Sequence, residues 1–223
     1  GAVAAGGLDL TLVTTRAGFD ALEADWNELF ARAGNSTQMF QTFNWCWHWC
    51  NHFLPADGTR HPRTRLAVLA GWREGRLVMV WPLVAQRTAG LTQLGWLGEP
   101  VSQYGDILVE NCADRADLVR RGWEHVTSQL RPDLVRLRKV RADAVIAPLL
   151  ERLSSVRCEP QEAPCLELSS APDFAAYEQR YSAKDRKNRR RLLRRLEEQG
   201  AVGLETVAPG NAARYAVGIG FTD

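Results

Sequence analysis

RLAVLAGWREGRLVMVWPLVAQ, residues 65–86, places two apolar runs, 65–72 and 76–86, on either side of Arg73-Glu74-Gly75. Runs of this length, rich in Val, Leu and Trp and parted by a short turn containing glycine, pair as an antiparallel β-hairpin. Downstream, LTQLGWLG (91–98) reads as a third strand, DILVE (106–110) as a short strand after the turn-rich SQYG, and LVRLRKV (134–140) as another. Upstream, LDLTLVT (8–14) alternates as a half-buried strand does. Phe19, Leu22, Trp26, Leu29 and Phe30 mark an amphipathic helix ending near Gly34, and 114–130 reads as a second helix with Asp114 at its N-cap. A helix over 144–153 and extended pieces at 156–159 and 165–168 follow. This order predicts an α/β (α+β) chain built on a mixed, largely antiparallel sheet flanked by helices.

The 223 residues, 45% of them hydrophobic, suffice for a substantial core. No run approaches eighteen apolar residues, and GAVAAGGLDL lacks the basic start and apolar stretch of a signal peptide. The expectation is a cytoplasmic protein without a transmembrane segment. Cys46, Cys50, Cys112, Cys158 and Cys165 are odd in number and scattered, which favours reduced thiols over a disulfide framework.

NWCWHWCNHF (44–53) concentrates aromatic, thiol and imidazole groups in ten positions and reads as a helix ending before Leu54-Pro55. At 100° per residue Cys46 and Cys50 share one face and His48 and His52 another, nearly opposite, so one ion cannot reach all four. Trp45, Trp49 and Phe53 follow i, i+4, i+8 spacing, an aromatic stripe suited to burial. The structural reading, a helix packed through its tryptophans, outweighs a metal or thiol site, and C-x-x-x-C is not the redox C-x-x-C spacing. The prediction is therefore no metal.

SSAPDF (169–174) has a connector's composition, which suggests domains at 1–170 and 171–223. Beyond it one or two helices run to Gly200, VGLETV (202–207) reads as a strand, and Asn211 as a helix cap. That is too little chain for a closed core, so the expectation is the start of a second, truncated domain. KDRKNRRRLLRR (184–195) carries eight of the 28 Lys and Arg against one acid, Asp185. It is therefore +7 within a chain of net +2, leaving −5 for the remainder. Two readings stand: a solvated helix whose arginines pair with acids such as Glu197 and Glu198, or a surface for a polyanion. No aromatic residue interleaves with the arginines, which disfavours a specific RNA reader. Walker, G-x-G-x-x-G, H-E-x-x-H, G-x-S-x-G and C-x-x-C motifs are missing from the sequence. His48, His52, His61 and His125 form no joint pattern, and Tyr104 with Asp106 in SQYGD is either a polar pair facing a ligand or a plain turn and strand.

Taken in order, four segments resemble the CelD/BioF2-like acyltransferases, GNAT relatives with a two-lobed architecture similar to that of FemAB peptidyltransferases. They are Phe40, Trp45 and Trp49 after the helix holding Trp26; the hairpin EGRLVMVWPL; LGWLGEPVSQYGDILV with Ser102, Tyr104 and Asp106; and SAKDRKNRRRLLRRLEEQGAVGLETV, with Ser182, Lys184, Arg186, Asn188, Arg190, Arg191, Arg194, Leu196, Glu197 and Gly200. The resemblance spans nearly the whole chain through degenerate motifs. It implies transfer of an acyl group from acetyl-CoA or another acyl-CoA to an amine or hydroxyl of an acceptor, which is phosphorylated or belongs to polysaccharide or cellulose production. Residues 1–170 would be a degenerate GNAT-like lobe whose Gln41, Trp45, Tyr104 and Asp106 bind substrate. Residues 171–223 would begin the acyl-CoA lobe, with Lys184, Arg186, Arg189, Arg190 and Arg191 meeting phosphates. The family's catalytic lobe continues past this length, and Arg214–Gly220 is out of register with its phosphate loop, so no catalytic residue is assigned. The rival is a non-catalytic binding module docking its basic helix on anionic lipid, nucleic acid or an acidic partner.

Overall fold

The computed structural model describes residues 7–54, 63–164 and 167–203, and the chain divides into two compact units, Gly1–Cys158 and Glu159–Asp223. In the first unit β1 (Leu8–Val13) leads through α1 (Arg16–Asp20), α2 (Glu23–Ala33), a 3-10 segment (Ser36–Gln41) and α3 (Phe43–Phe53) into the hairpin. The expected single helix after β1 is two, because the chain turns at Ala21 and Leu22; the break lets Phe19 stack on Phe43, with ring centroids 5.0 Å apart.

The hairpin is present, but each arm is cut in two: β2 (Thr64–Leu66) and β3 (Val68–Arg73), then β4 (Arg76–Trp81) and β5 (Leu83–Thr88). Pro82 has no N–H to give the ladder, so the arms diverge there. Ala67 N–H reaches the Leu83 carbonyl at 3.0 Å, and the Pro82 carbonyl accepts from Leu97 N–H at 2.8 Å. Two four-stranded sheets result where one was expected. With β6 (Leu91–Trp96), β7 (Leu108–Val109) and β8 (Leu134–Arg136), their orders are β1-β3-β4-β7 and β2-β5-β6-β8. Every pairing is antiparallel except β6 with β8. Gly71 pairs with Met79 and Trp72 with Leu77, leaving Val78 as the extra residue of a β-bulge. Val78 and Met79 therefore enter the same core, while Leu77 and Val80 enter the other.

Helices cover both sheet faces. α1, α2 and α3 enclose a core of Phe19, Trp26, Leu29, Phe43, Cys46 and Val80. α4 (Arg115–Leu130) and α5 (Ala147–Leu150) close the other over Leu69, Met79, Trp81, Leu118, Val126 and Ile146. This is the mixed, largely antiparallel α/β architecture that the pattern predicts. Asp114 occupies the N-cap position of α4 without a side-chain capping bond; its carboxylate binds Arg73 of β3 at 2.6 Å instead. β8 is shorter than its apolar run because Lys139 takes a left-handed φ of 56° and its amine donates to the Ser102 carbonyl at 2.7 Å. That departure carries 137–140 out of the sheet.

In the second unit Asp173 caps α6 (Phe174–Glu178) and Ser182 caps α7 (Ala183–Glu197). Of the strand expected at 202–207, Val202 and Gly203 are described and are not in a strand; the remainder, the Asn211 cap, the 214–220 stretch and the piece at 165–166 lie outside the described residues.

Candidate functional site

The 3-10 segment and α3 lie against the loop 97–107. Thr42 caps α3 by accepting from Trp45 N–H, which fixes the helix so that Trp45 and Trp49 address the loop. Trp45 Nε1 donates to Ser102 Oγ at 2.9 Å, Ser102 Oγ donates to the Gly98 carbonyl at 3.0 Å, and Trp49 Nε1 donates to the Glu99 carbonyl at 2.9 Å. Gly98 has a φ of +112°, and a Cβ there would collide with Ser102 Oγ, so this close approach needs glycine.

Gln38 and Gln41 stand behind this contact, almost fully buried. Gln41 Nε2 donates to the Tyr104 carbonyl at 3.0 Å, and the Gln41 carbonyl accepts from the Trp26 indole at 2.9 Å. Gln38 Nε2 donates to Asp106 Oδ2 at 2.9 Å and to the Ile107 carbonyl at 3.0 Å. Asp106 also accepts from the backbone N–H groups of Ile107, Val145 and Ile146, at 2.8, 3.0 and 3.2 Å. Burial pushes its carboxyl above the usual range, against the pull of the Val145, Ile107, Gln38 and Ile146 donors. A carboxylate with four donors already on it holds two loops together and has little capacity left for a substrate. Tyr104 is half-buried, with the Arg141 guanidinium 5.1 Å above its ring.

Two hollows flank the Trp45–Ser102 contact. One, of about 250 Å³, is lined by Trp45, His48, Trp49, His52, Phe53 and Val101. The other is a narrow crevice among Trp96, Glu99, Ser102, Tyr104, Gly105, Arg138 and Lys139. Within it burial raises the Glu99 carboxyl, opposed by Arg138, Arg136 and Lys139. Glu99 Oε1 and Trp96 Nε1 are buried without hydrogen-bond partners among the described residues.

The structure thus brings Gln41, Trp45, Tyr104 and Asp106 together. Gln38 and Glu99 were not legible as site residues, since their partners lie 68 positions away in one case and in a folded crevice in the other. The expected packing of α3 through its tryptophans holds for Trp49, in the core with Trp47 and Phe53 packed against it, but the deepest residues are Cys46 and Cys50, both at 0% exposure, and Trp45 and Phe53 stay half-buried beside the larger hollow. The small thiols let the helix approach Phe19, Trp26 and the sheet, and indoles on that face would hold it away. Among the described residues no group of three or more His, Cys, Asp or Glu side chains is placed to hold a metal, and no helix is long and apolar enough to cross a membrane.

The basic residues lie in the second unit on α7, which is exposed apart from half-buried Arg186. Arg186 donates to the Tyr181 carbonyl at 2.6 Å, Arg189 stacks 3.5 Å from the Tyr181 ring centroid, and Arg191 donates to Asn188 at 2.8 Å. Lys184 and Arg190 make no ion pair among the described residues, and neither Glu197 nor Glu198 pairs with any α7 cation there. The pairing that a solvated helix would use is not what these residues do.

No known protein-family model matches the sequence. No curated protein is similar to it at a significant level. Among solved structures, the chain is similar to a ribosomal-protein-alanine N-acetyltransferase from Brucella melitensis biovar Abortus 2308, at 12% identity and a TM-score of 0.40 over 72% of this chain and 100% of that one. It is also similar to an aminoglycoside acetyltransferase from an uncultured soil metagenomic sample, at 16% identity and a TM-score of 0.37 over 72% of this chain and 99% of that one. Likeness at this level leaves the family of the chain to be argued from its own residues.

Proposed function

We propose that this chain is part of a GNAT-type, CelD/BioF2-like acyltransferase that moves an acyl group from acetyl-CoA or another acyl-CoA to an amine or hydroxyl acceptor. One observation carries this reading. Trp45, Ser102, Tyr104 and Asp106, which carry the family resemblance, and the substrate-binding candidate Gln41 come from two segments about sixty positions apart and meet in one hydrogen-bonded constellation beside a hollow. In the reaction the acceptor's lone pair attacks the thioester carbonyl, the C–N or C–O bond forms as the C–S bond breaks, and CoA leaves as its thiol with the acceptor's proton. Positioning supplies much of such a rate enhancement. The residues of this chain orient: Asp106, Gln38 and Gln41 fix the loop, and Trp45 and Trp49 give the acceptor hollow its wall. The constellation therefore serves substrate positioning, with Asp106 acting through the loop.

The phosphates of acyl-CoA, or of a phosphorylated acceptor, would meet α7. Lys184 and Arg190 are the outward cations for this, while Arg186, Arg189 and Arg191 first have to leave Tyr181 and Asn188. Titration of acetyl-CoA and a longer acyl-CoA by calorimetry at two salt concentrations tests the reading, with Lys184→Glu/Arg190→Glu as comparison. Saturable binding that weakens with salt and in the variant supports it. Acyl-CoA affinity that is absent, with salt-sensitive retention on anionic lipid or RNA, would replace it by the non-catalytic module.

A further inference from the structure

α3 leaves its two histidines outside the constellation. His48 and His52 are exposed, lie one helical turn apart on a continuous eleven-residue helix, and line the same hollow of about 250 Å³. Side chains at i and i+4 on a helix start roughly 5–6 Å apart at Cβ. Their imidazole nitrogens can therefore converge on one ion at about 2.0–2.1 Å each. This is the histidine spacing with which an H-E-x-x-H helix grips zinc, here with Trp49 where that motif has its glutamate. Among the described residues neither imidazole is held by a hydrogen bond or an ion pair; His48 meets the edge of Trp47 and His52 that of Phe53. Cys46 and Cys50 lie buried in the core on the opposite side of the helix and do not compete.

We propose that His48 and His52 form a bidentate site for a divalent transition ion. Imidazole selects the Zn²⁺, Ni²⁺ and Cu²⁺ class over Mg²⁺ and Ca²⁺, which seek oxygen. No third His, Cys, Asp or Glu joins the pair among the described residues, so the ion keeps open positions for water or a small solute ligand. A water occupies roughly 30 Å³, and the hollow has room for several beside the ion. The site is open and exchangeable, unlike the closed four-ligand sites that hold a fold together.

The test is calorimetric titration of ZnCl₂ into the 223-residue chain at neutral pH, carrying Cys158→Ser and Cys165→Ser throughout to remove the thiol exposed among the described residues and the one outside them. The expected result is one saturable site per chain, weakened about tenfold or more in His48→Ala and again in His52→Ala, and unchanged in His125→Ala. Both substitutions are at exposed positions, and unaltered circular dichroism confirms the fold. Imidazole resonances of both His48 and His52 shift together on adding Zn²⁺. Lack of saturable binding, binding that survives in the double variant, or loss in one single variant alone overturns the proposal. None of these outcomes depends on acyl transfer, so the metal site and the proposed activity stand or fall separately.

Discussion

Trp45 Nε1 donates to Ser102 Oγ at 2.9 Å, and the same hydroxyl donates onward to the Gly98 carbonyl at 3.0 Å. This relay fastens α3 to the loop that carries Tyr104 and Asp106, and it separates the two hollows. Ser102→Ala removes the acceptor of a half-buried indole N–H. The expected loss is about 1 kcal/mol of stability. It appears as a lower urea midpoint at unchanged slope, with a change in the emission of the hollow's tryptophans. Ser102→Thr keeps the hydroxyl and recovers part of the loss.

Asp106→Asn keeps the size of the side chain but turns an NH₂ group toward donors. With the Gln38, Ile107, Val145 and Ile146 N–H groups all converging on the carboxylate, at least one is left without a partner. The expected cost is about 1–3 kcal/mol. Urea unfolding measures it, and faster amide exchange at Val145 and Ile146 locates it. An equally stable Asp106→Asn protein with unchanged exchange would contradict the tethering role.

Acid should weaken the first unit through Arg73 and Asp114. The Arg73 guanidinium, and then the Cys112 thiol, hold the Asp114 carboxyl down at about 2 from an ordinary 3.8. A depressed carboxylate contributes stability above its unfolded-state value and loses it as pH falls toward the folded-state value. The loss therefore runs from about pH 4 to about pH 2, and it is small because the pair is solvent-accessible. Stability curves of the wild type and Asp114→Asn should converge below that window and separate above it.

Thiol labelling under native conditions should follow burial. Burial pushes Cys50 up to about 12 and Cys46 well above its ordinary value, the neighbouring Cys50 adding to the latter. Thiolate is the reactive form. Cys158, exposed, is expected to label at once, and Cys46 and Cys50 only on unfolding, as mass spectrometry of labelled peptides would report. Prompt native labelling of Cys46 would refute the depth assigned to α3.

What the sequence determined by itself is most of the local elements, although the helix expected over 144–153 shrinks to the four residues of α5 and the piece expected at 156–159 forms no strand. Alternation wrote β1, the Glu74-Gly75 turn wrote the β3–β4 hairpin, and Asp173 and Ser182 stand where α6 and α7 begin. These rest on periodicity and on side chains that cap their own neighbours, interactions reaching four residues or fewer. The tertiary structure decided what depends on partners far along the chain. Pro82 split the expected single sheet in two, and the pairing that takes over beside it, Ala67 N–H to the Leu83 carbonyl and Leu97 N–H to the Pro82 carbonyl, exists only in the fold. α3 turned its cysteines inward and left Trp45 and Phe53 at a hollow because the opposing surface, Phe19 and Trp26, was already filled with rings. Asp106 became a tether because Gln38 and the Val145–Ile146 backbone converge on it from 68 positions upstream and 40 downstream. A helical period states which residues share a face; the packing of other elements states which face is buried.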